Sequence, residues 1–164
     1  MTLRSALRPG DVGAIIHLHG VVYAKEHGFD HTFEAYVAGP LSKSVISDSP
    51  RERLWIAEQD VRIAGCIGIV ASSPKTAQLR WFLVAPEARG KGLGRRLLEE
   101  AVAFSIAAGY ESIVLWTVSA LTTAGHLYEA AGFGRVEEIP GRRWGVDVVE
   151  QKYRLELPGP RKAT

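Results

Sequence analysis

The chain has one cysteine, Cys66, among its 164 residues. An intramolecular disulfide is therefore impossible, and a cysteine-based zinc site lacks its ligands. The five histidines, His17, His19, His27, His31 and His126, show no zinc spacing, so no metal is expected. No run approaches the 18 or so apolar residues of a membrane span, and Met1-Thr2-Leu3-Arg4-Ser5 lacks a signal-peptide core. A cytoplasmic protein with no membrane partner is the expectation. Charge of one sign is scarce too: 20 basic against 18 acidic side chains leave a net charge of +2. Nucleic acid as the main partner would call for a larger basic excess. There is no internal repeat. What is present is ordinary globular composition, 46% hydrophobic and 23% charged. The length fits one domain, expected over residues 1–157, with a flexible tail at 158–164.

The apolar pattern predicts the order β-α-α-β-β-β-α-β-α-β-β. Leu3, Ser5 and Leu7 alternate as a weak first strand. Asp11 reads as a helix N-cap, and Val12, Ile15, Ile16, His19, Val22, Tyr23 and Glu26 follow helical spacing up to Gly28. A second helix holds Phe33, Tyr36 and Val37, with an interruption expected at Gly39-Pro40. Strands follow at 54–57, 63–71 and 79–84, the first two joined by a turn at Gln59-Asp60. The almost wholly apolar run from Ile63 to Ala71 suits a central strand buried on both faces. Leu93, Leu97, Leu98, Ala101 and Val102 mark the third helix, which Gly109 closes. A short strand at 113–117 precedes a helix capped by Thr122 or Thr123. Strands at 133–139 and 149–157 end the pattern, with a turn at Pro140-Gly141. Helices alternate with strands only in the second half, so the fold class is α/β with a mixed sheet rather than a doubly wound parallel one.

The sharpest local feature is Val84-Ala85-Pro86-Glu87-Ala88-Arg89-Gly90-Lys91-Gly92-Leu93-Gly94, which leaves a buried strand and enters a helix. A helix N-terminus offers unpaired N–H groups and partial positive charge. Glycines let main-chain amides close on an anion. Arg89, Lys91, Arg95 and Arg96 add positive charge. The physical construction is a diphosphate cradle. It is no P-loop, because Leu93 follows Gly92, and no dinucleotide fingerprint, because Arg95 or Leu97 falls where the last glycine belongs.

Arg89-x-x-Gly92-x-Gly94, after a strand ending Leu83-Val84-x-Pro86, resembles the signature of the GNAT superfamily of N-acetyltransferases. Leu127-Tyr128-Glu129-x-x-Gly132-Phe133 is similar to that family's second hallmark, on its last helix. The likeness extends over roughly residues 3–157. It looks closest to acetyltransferase domains often fused to MarR-type regulators, here in stand-alone form. The resemblance implies a mostly antiparallel sheet of about seven strands, a splayed parallel pair and about four helices. It also implies acetyl-CoA as cosubstrate. The pyrophosphate would lie on Arg89, Gly90, Lys91, Gly92, Leu93 and Gly94, and the pantetheine arm along Leu83 and Val84, between strands 79–84 and 113–117. Many members carry an asparagine where Leu121 stands. Its hydrogen bond to the cofactor arm is then missing, or comes from Thr117, Ser119 or Thr122.

Acetyl transfer needs a neutral amine, a stabilised carbonyl oxygen and a proton for the departing thiolate. The resemblance places the last role on Tyr128, whose other reading is plain core packing. The Val84 N–H is the expected carbonyl polariser. The strand 78–84 holds no carboxylate, only Gln78 and Arg80 as polar side chains. Glu26 is the candidate base, and the other reading places it at an exposed helix end. Glu58 is a further candidate at a strand end. Cys66, among Gly65, Ile67 and Ile69, reads as a buried inert thiol.

The family's acceptor site maps to segments holding Tyr23, Glu26, His27, Phe29, Asp30, His31, Tyr36, Arg142, Arg143 and Trp144. Arg142-Arg143-Trp144 reads either as an acceptor-carboxylate site or as a solvated turn. The expected function is N-acetylation of a primary amine on a small metabolite, an amino acid or similar. The alternatives are a protein N-acetyltransferase and a non-catalytic acetyl-CoA-binding sensor or interaction module. A homodimer is compatible with the sequence.

Overall fold

A computed structural model describes residues 1–159. The chain runs β1 (Thr2–Arg4), α1 (Asp11–His27), α2 (Thr32–Ser47), β2 (Arg53–Gln59), β3 (Arg62–Ala71), β4 (Thr76–Val84) and a short 3-10 turn (Pro86–Ala88). It continues through α3 (Leu93–Ala107), β5 (Ser112–Val118), α4 (Thr122–Ala130), β6 (Gly134–Arg143) and β7 (Val146–Glu156). Helices and strands follow one another in the expected order. Of the tail expected at 158–164, residues 160–164 lie outside the described residues.

One sheet of seven strands is ordered β1-β2-β3-β4-β5-β7-β6. Every neighbouring pair is antiparallel except β4 with β5. Each face buries a helix pair. Leu93, Leu97, Leu98 and Ala101 of α3 and Tyr128 of α4 pack on Ile67, Ile69, Leu79 and Leu115. Ile15 and Val22 of α1, with Phe33, Val37 and Leu41 of α2, pack on Ile56, Cys66, Trp81 and Leu83. β3 feeds both layers, which is why its sequence does not alternate. Among the described residues, no helix is long and apolar enough to cross a membrane.

The structure corrects several boundaries. α2 runs unbroken through Pro40. Proline costs a helix interior about 3 kcal/mol or more. Phe33, Val37 and Leu41, all buried at helical spacing, each return about 1.5–3 kcal/mol on burial, which outweighs that cost. Asp11 is the first helical residue rather than the cap; Gly10, at φ 95°, takes the cap position. The Asp11 carboxylate accepts the Arg8 N–H at 2.6 Å and the Arg4 guanidinium at 2.8 and 2.9 Å. Arg4 also donates to Glu58 at 2.6 Å. The tight turn after β2 falls at Asp60-Val61, one residue late, with φ 51° and 64°. Leu121, with no side-chain cap, precedes α4 in place of a threonine. β6 continues through Pro140-Gly141, and the hairpin closes at Trp144-Gly145 with φ 53° and 79°, the positive pair that a two-residue hairpin favours. Proline is tolerated because β6 is the sheet's outer strand.

Candidate active site

β4 and β5 pair only at Thr76↔Ser112, Ala77↔Ile113 and Gln78↔Val114. Beyond Gln78 they separate, and a cleft of about 560 Å³ opens between them and the two helix layers. A bulge in β4 shapes its floor. The register with β3 shifts between Cys66 and Gly68, and Trp81 takes φ 52°. Before the bulge, Ala77 and Leu79 face α3; after it, Phe82 and Val84 do, while Trp81 and Leu83 face α1 and α2. One extra residue inverts the alternation, so consecutive side chains Arg80 and Trp81 share the α1/α2 side. Gly68 makes room, since a Cβ there would collide with the Trp81 ring.

The turn after β4 is built as the motif predicts. Gly90 and Gly92 have φ 75° and 78°, and a Cβ on either would point into open space. Gly92 caps α3 without a side-chain hydrogen bond, and no acidic residue stands in the first helical turn. The Leu93, Gly94 and Arg95 amides thus lack intrahelical acceptors. Gly94 has a second duty: a Cβ there would lie 3.0 Å from Leu127 Cδ1, so it also lets α3 approach α4. The Ala85 N–H donates to Ala64 O at 2.8 Å. Strand alternation then turns the Val84 N–H toward the opened side, where Val84 O accepts Arg89 Nε at 3.2 Å. Leu83, Val84, Arg89, Gly90, Gly92, Leu93 and Gly94 line the cleft; Lys91 stands outside it.

Tyr128 lines the same cleft, with its ring 5.7–5.9 Å from Phe82, Phe133 and Tyr153. Burial pushes its phenol up, so the hydroxyl stays protonated through neutral pH and can donate. Thr117 Oγ1 on β5 is buried without a partner and also belongs to the lining. Leu121 lies nearby in that lining.

Glu26 reaches the cleft from α1, but it is not free. Arg89 holds both its oxygens, at 2.7 and 3.0 Å. The guanidinium keeps the carboxyl below the usual carboxylate range. Glu58 is committed to Arg4 and Arg8, away from the cleft lining. Cys66 is fully buried, donates to Trp81 O at 3.1 Å, and burial pushes its thiol up to about 12.

Sequence reasoning gave His19 no role of its own. Its Nδ1–H donates to Ile15 O at 2.8 Å, and its Nε2 is buried without a partner. Burial pushes the imidazole down to about 4, so it is neutral at pH 7. The signal was there: an imidazole at helical spacing between Ile15 and Val22. On the same wall, Trp144 packs on Phe29, Phe33 and Tyr36 at 4.9–5.2 Å. Arg142 pairs with Asp147 at 3.3 Å, while Arg143 lies over the Tyr36 and Trp144 rings, 5.2 and 4.7 Å from their centres, and is held by the lining carboxylate Glu150 at 3.1 Å. The hairpin tip therefore contributes the Trp144 ring and a cation, Arg143, whose charge Glu150 already balances.

Splayed strands, an orphaned buried hydroxyl and an open glycine turn leading into a helix whose first turn holds no acid fit a long ligand that carries a diphosphate. Residues 22–133 match the acetyltransferase (GNAT) family. An uncharacterized N-acetyltransferase of Schizosaccharomyces pombe is 32% identical over 120 residues, 70% of this chain and 72% of the relative. N-acetylaspartate synthetase of Danio rerio is 33% identical over 118 residues, 63% of this chain but only 41% of that protein's length. The fold of yncA from Salmonella typhimurium, solved with its cofactor acetyl-CoA, superposes with a TM-score of 0.74 at 20% identity, covering 100% of this chain and 98% of the other. The cradle, the splayed strands and these likenesses agree: this chain belongs to the GNAT acetyltransferase family and is an acyltransferase with acetyl-CoA as its donor.

Proposed function

We propose that the protein acetylates the primary amine of a small metabolite, an amino acid or similar. One observation carries this reading: the glycine cradle, Tyr128 and an aromatic acceptor wall line a single cleft. Bound there, acetyl-CoA supplies an activated acyl carbon on which the amine forms its C–N bond as the C–S bond breaks.

The chain's own groups divide the remaining work. The amides of Gly90, Gly92, Leu93 and Gly94, in the turn and at the start of α3, hold the diphosphate. The edges of β4 at Leu83 and Val84, and the Thr117 hydroxyl, hold the arm. Thr117 thereby replaces the hydrogen bond that Leu121 cannot make. The Val84 N–H stabilises negative charge on the carbonyl oxygen. Tyr128 Oη gives its proton to the departing sulfur. Glu26 acts by fixing Arg89 to α1; a carboxylate gripped by a guanidinium is a poor base. The amine nitrogen therefore sheds its proton to water or arrives neutral.

The test is thiol release from acetyl-CoA across a panel of small amines, with ribosomal-protein N-terminal peptides as a second arm. Release with small amines is expected. Release with peptides alone would make the protein a protein N-acetyltransferase. Binding of acetyl-CoA without release in either arm would leave the sensor reading.

A further inference from the structure

Among the described residues, three arginines line the cleft: Arg80, Arg89 and Arg95. Arg89 is paired with Glu26 and Arg95 with Glu99. Among the described residues, Arg80 has no carboxylate within 4.0 Å. The lining acid on the opposite hairpin, Glu150, is occupied by Arg143. Alternation after Leu79 puts Arg80 on the acceptor side and the bulge keeps Trp81 beside it, so that its guanidinium carbon lies 5.7 Å from the ring centres of Tyr36 and of Trp81. Arg80 is half-buried. A cation placed among rings gives up part of its hydration, and an anion in the same cleft restores that loss. A guanidinium is planar and can take a carboxylate through two parallel N–H bonds.

We infer that the acceptor is an amino acid with a large apolar or aromatic side chain. Arg80 anchors its carboxylate, and the rings of Phe29, Phe33, Tyr36 and Trp144 receive its side chain. Arg80 is thus a specificity-determining residue. The sequence offered Arg142 and Arg143 for this duty, but Asp147 and Glu150 already hold them. The inference rests on the acetyl-transfer reading for its chemistry, though not for its binding.

The experiment compares L-phenylalanine, L-phenylalaninamide and 2-phenylethylamine in two assays, acetyl-CoA thiol release and thermal stabilisation with CoA present. The three probes share one ring and one amine and differ in the carboxylate. L-phenylalanine should exceed both analogues in kcat/KM by about 10- to 100-fold, the worth of a charged hydrogen-bonded contact. It should also be the only probe of the three to raise Tm. Arg80→Gln should bring the three probes within a few-fold of each other, mainly through KM. Arg80→Lys, which keeps the charge but not the fork, should restore part of the preference. Melting of each variant without ligand checks the fold. Equal or better use of the analogues, or an intact preference in folded Arg80→Gln, overturns the inference. If no probe releases thiol but only L-phenylalanine stabilises the protein, and Arg80→Gln abolishes that, the anchor stands and acetyl transfer falls. Stabilisation and turnover with the carboxylate-free probes alone would keep acetyl transfer and overturn the anchor.

Discussion

Along the turn at 84–94, what faces the cleft is chiefly main chain: amides freed by glycine geometry and by the start of a helix. The opposite wall is made of side chains, Tyr23, Phe29, Phe33, Tyr36 and Trp144, brought from α1, the α1–α2 loop, α2 and the β6–β7 hairpin. A main-chain site needs only that few residues carry a Cβ, so it accepts a ligand group common to many enzymes. A side-chain site depends on each ring and charge, and it can change its acceptor one substitution at a time. Tyr128, Glu26 and His19 lie where the two meet, and they allow the division to be tested.

Tyr128→Phe should have the largest effect. It keeps the ring among Phe82, Phe133 and Tyr153 and removes only the hydroxyl. A fall in kcat of about 10- to 1000-fold, with acetyl-CoA affinity nearly unchanged, is expected from loss of a general acid. Near-normal turnover would return Tyr128 to core packing. Gly92→Asp probes the main-chain side alone. It places a negative charge in an open cradle and forces a side chain onto φ 78°. Acetyl-CoA affinity should fall by about 100-fold, the scale of opposed charge at an anion site. The rise in Tm on adding acetyl-CoA should vanish, whereas Gly92→Ala should show strain but keep the ligand response.

His19 sharpens the side-chain half through pH. Its folded-state value is near 4, against about 6.5 in an unfolded chain. As pH falls, the unfolded state takes the proton first. The stability of the neutral imidazole is complete above about pH 6.5 and is lost as pH falls toward 4. Urea unfolding should therefore lose about 2 kcal/mol between pH 7 and pH 5 on this group's account. His19→Leu should flatten that slope, and an unchanged slope would show that the imidazole titrates normally. Glu26→Gln should do least. The carboxyl is already ionised at neutral pH, so turnover should stay within about 5-fold, the scale of a half-exposed ion pair, and the alkaline limb of the pH–rate profile should not move. A shift of that limb would make Glu26 the base.

How much of this was legible in the sequence divides along the same line. The donor turn is local: eleven consecutive residues carry its glycines, proline and charges, and the structure places Gly90 and Gly92 in the left-handed region the motif requires. The order of elements was equally legible, because burial repeats at 2 and 3.6 residues within each element. The acceptor wall was only partly so. Tyr36 and Trp144 could be named, but that Arg143 is held by Glu150 while Arg80 has no such partner depends on the register of the β6–β7 hairpin and on which side of β4 each residue faces. Pro40 and Pro140 misled for a related reason. Local rules end an element at proline, whereas the buried stripe of α2 and the outer position of β6 override them. Gly94 carried a meaning that spacing alone does not give, since its contact with Leu127 belongs to another helix.

The outer position of β6 has a consequence for the molecule in a crowded solution. All ten of its residues are exposed, Val136 and Ile139 among them. Such a strand is a template on which another chain's backbone could add. Pro140 removes one donor from that margin, and Arg135, Glu137, Glu138, Arg142 and Arg143 surround the two apolar side chains with charges of both signs. At the far margin β1 is only three residues long, and Arg4 there is tied to Asp11 and Glu58. Neither border offers a long, flat, uncharged strand, so the sheet is guarded at both ends against growing by strand-on-strand addition into aggregates.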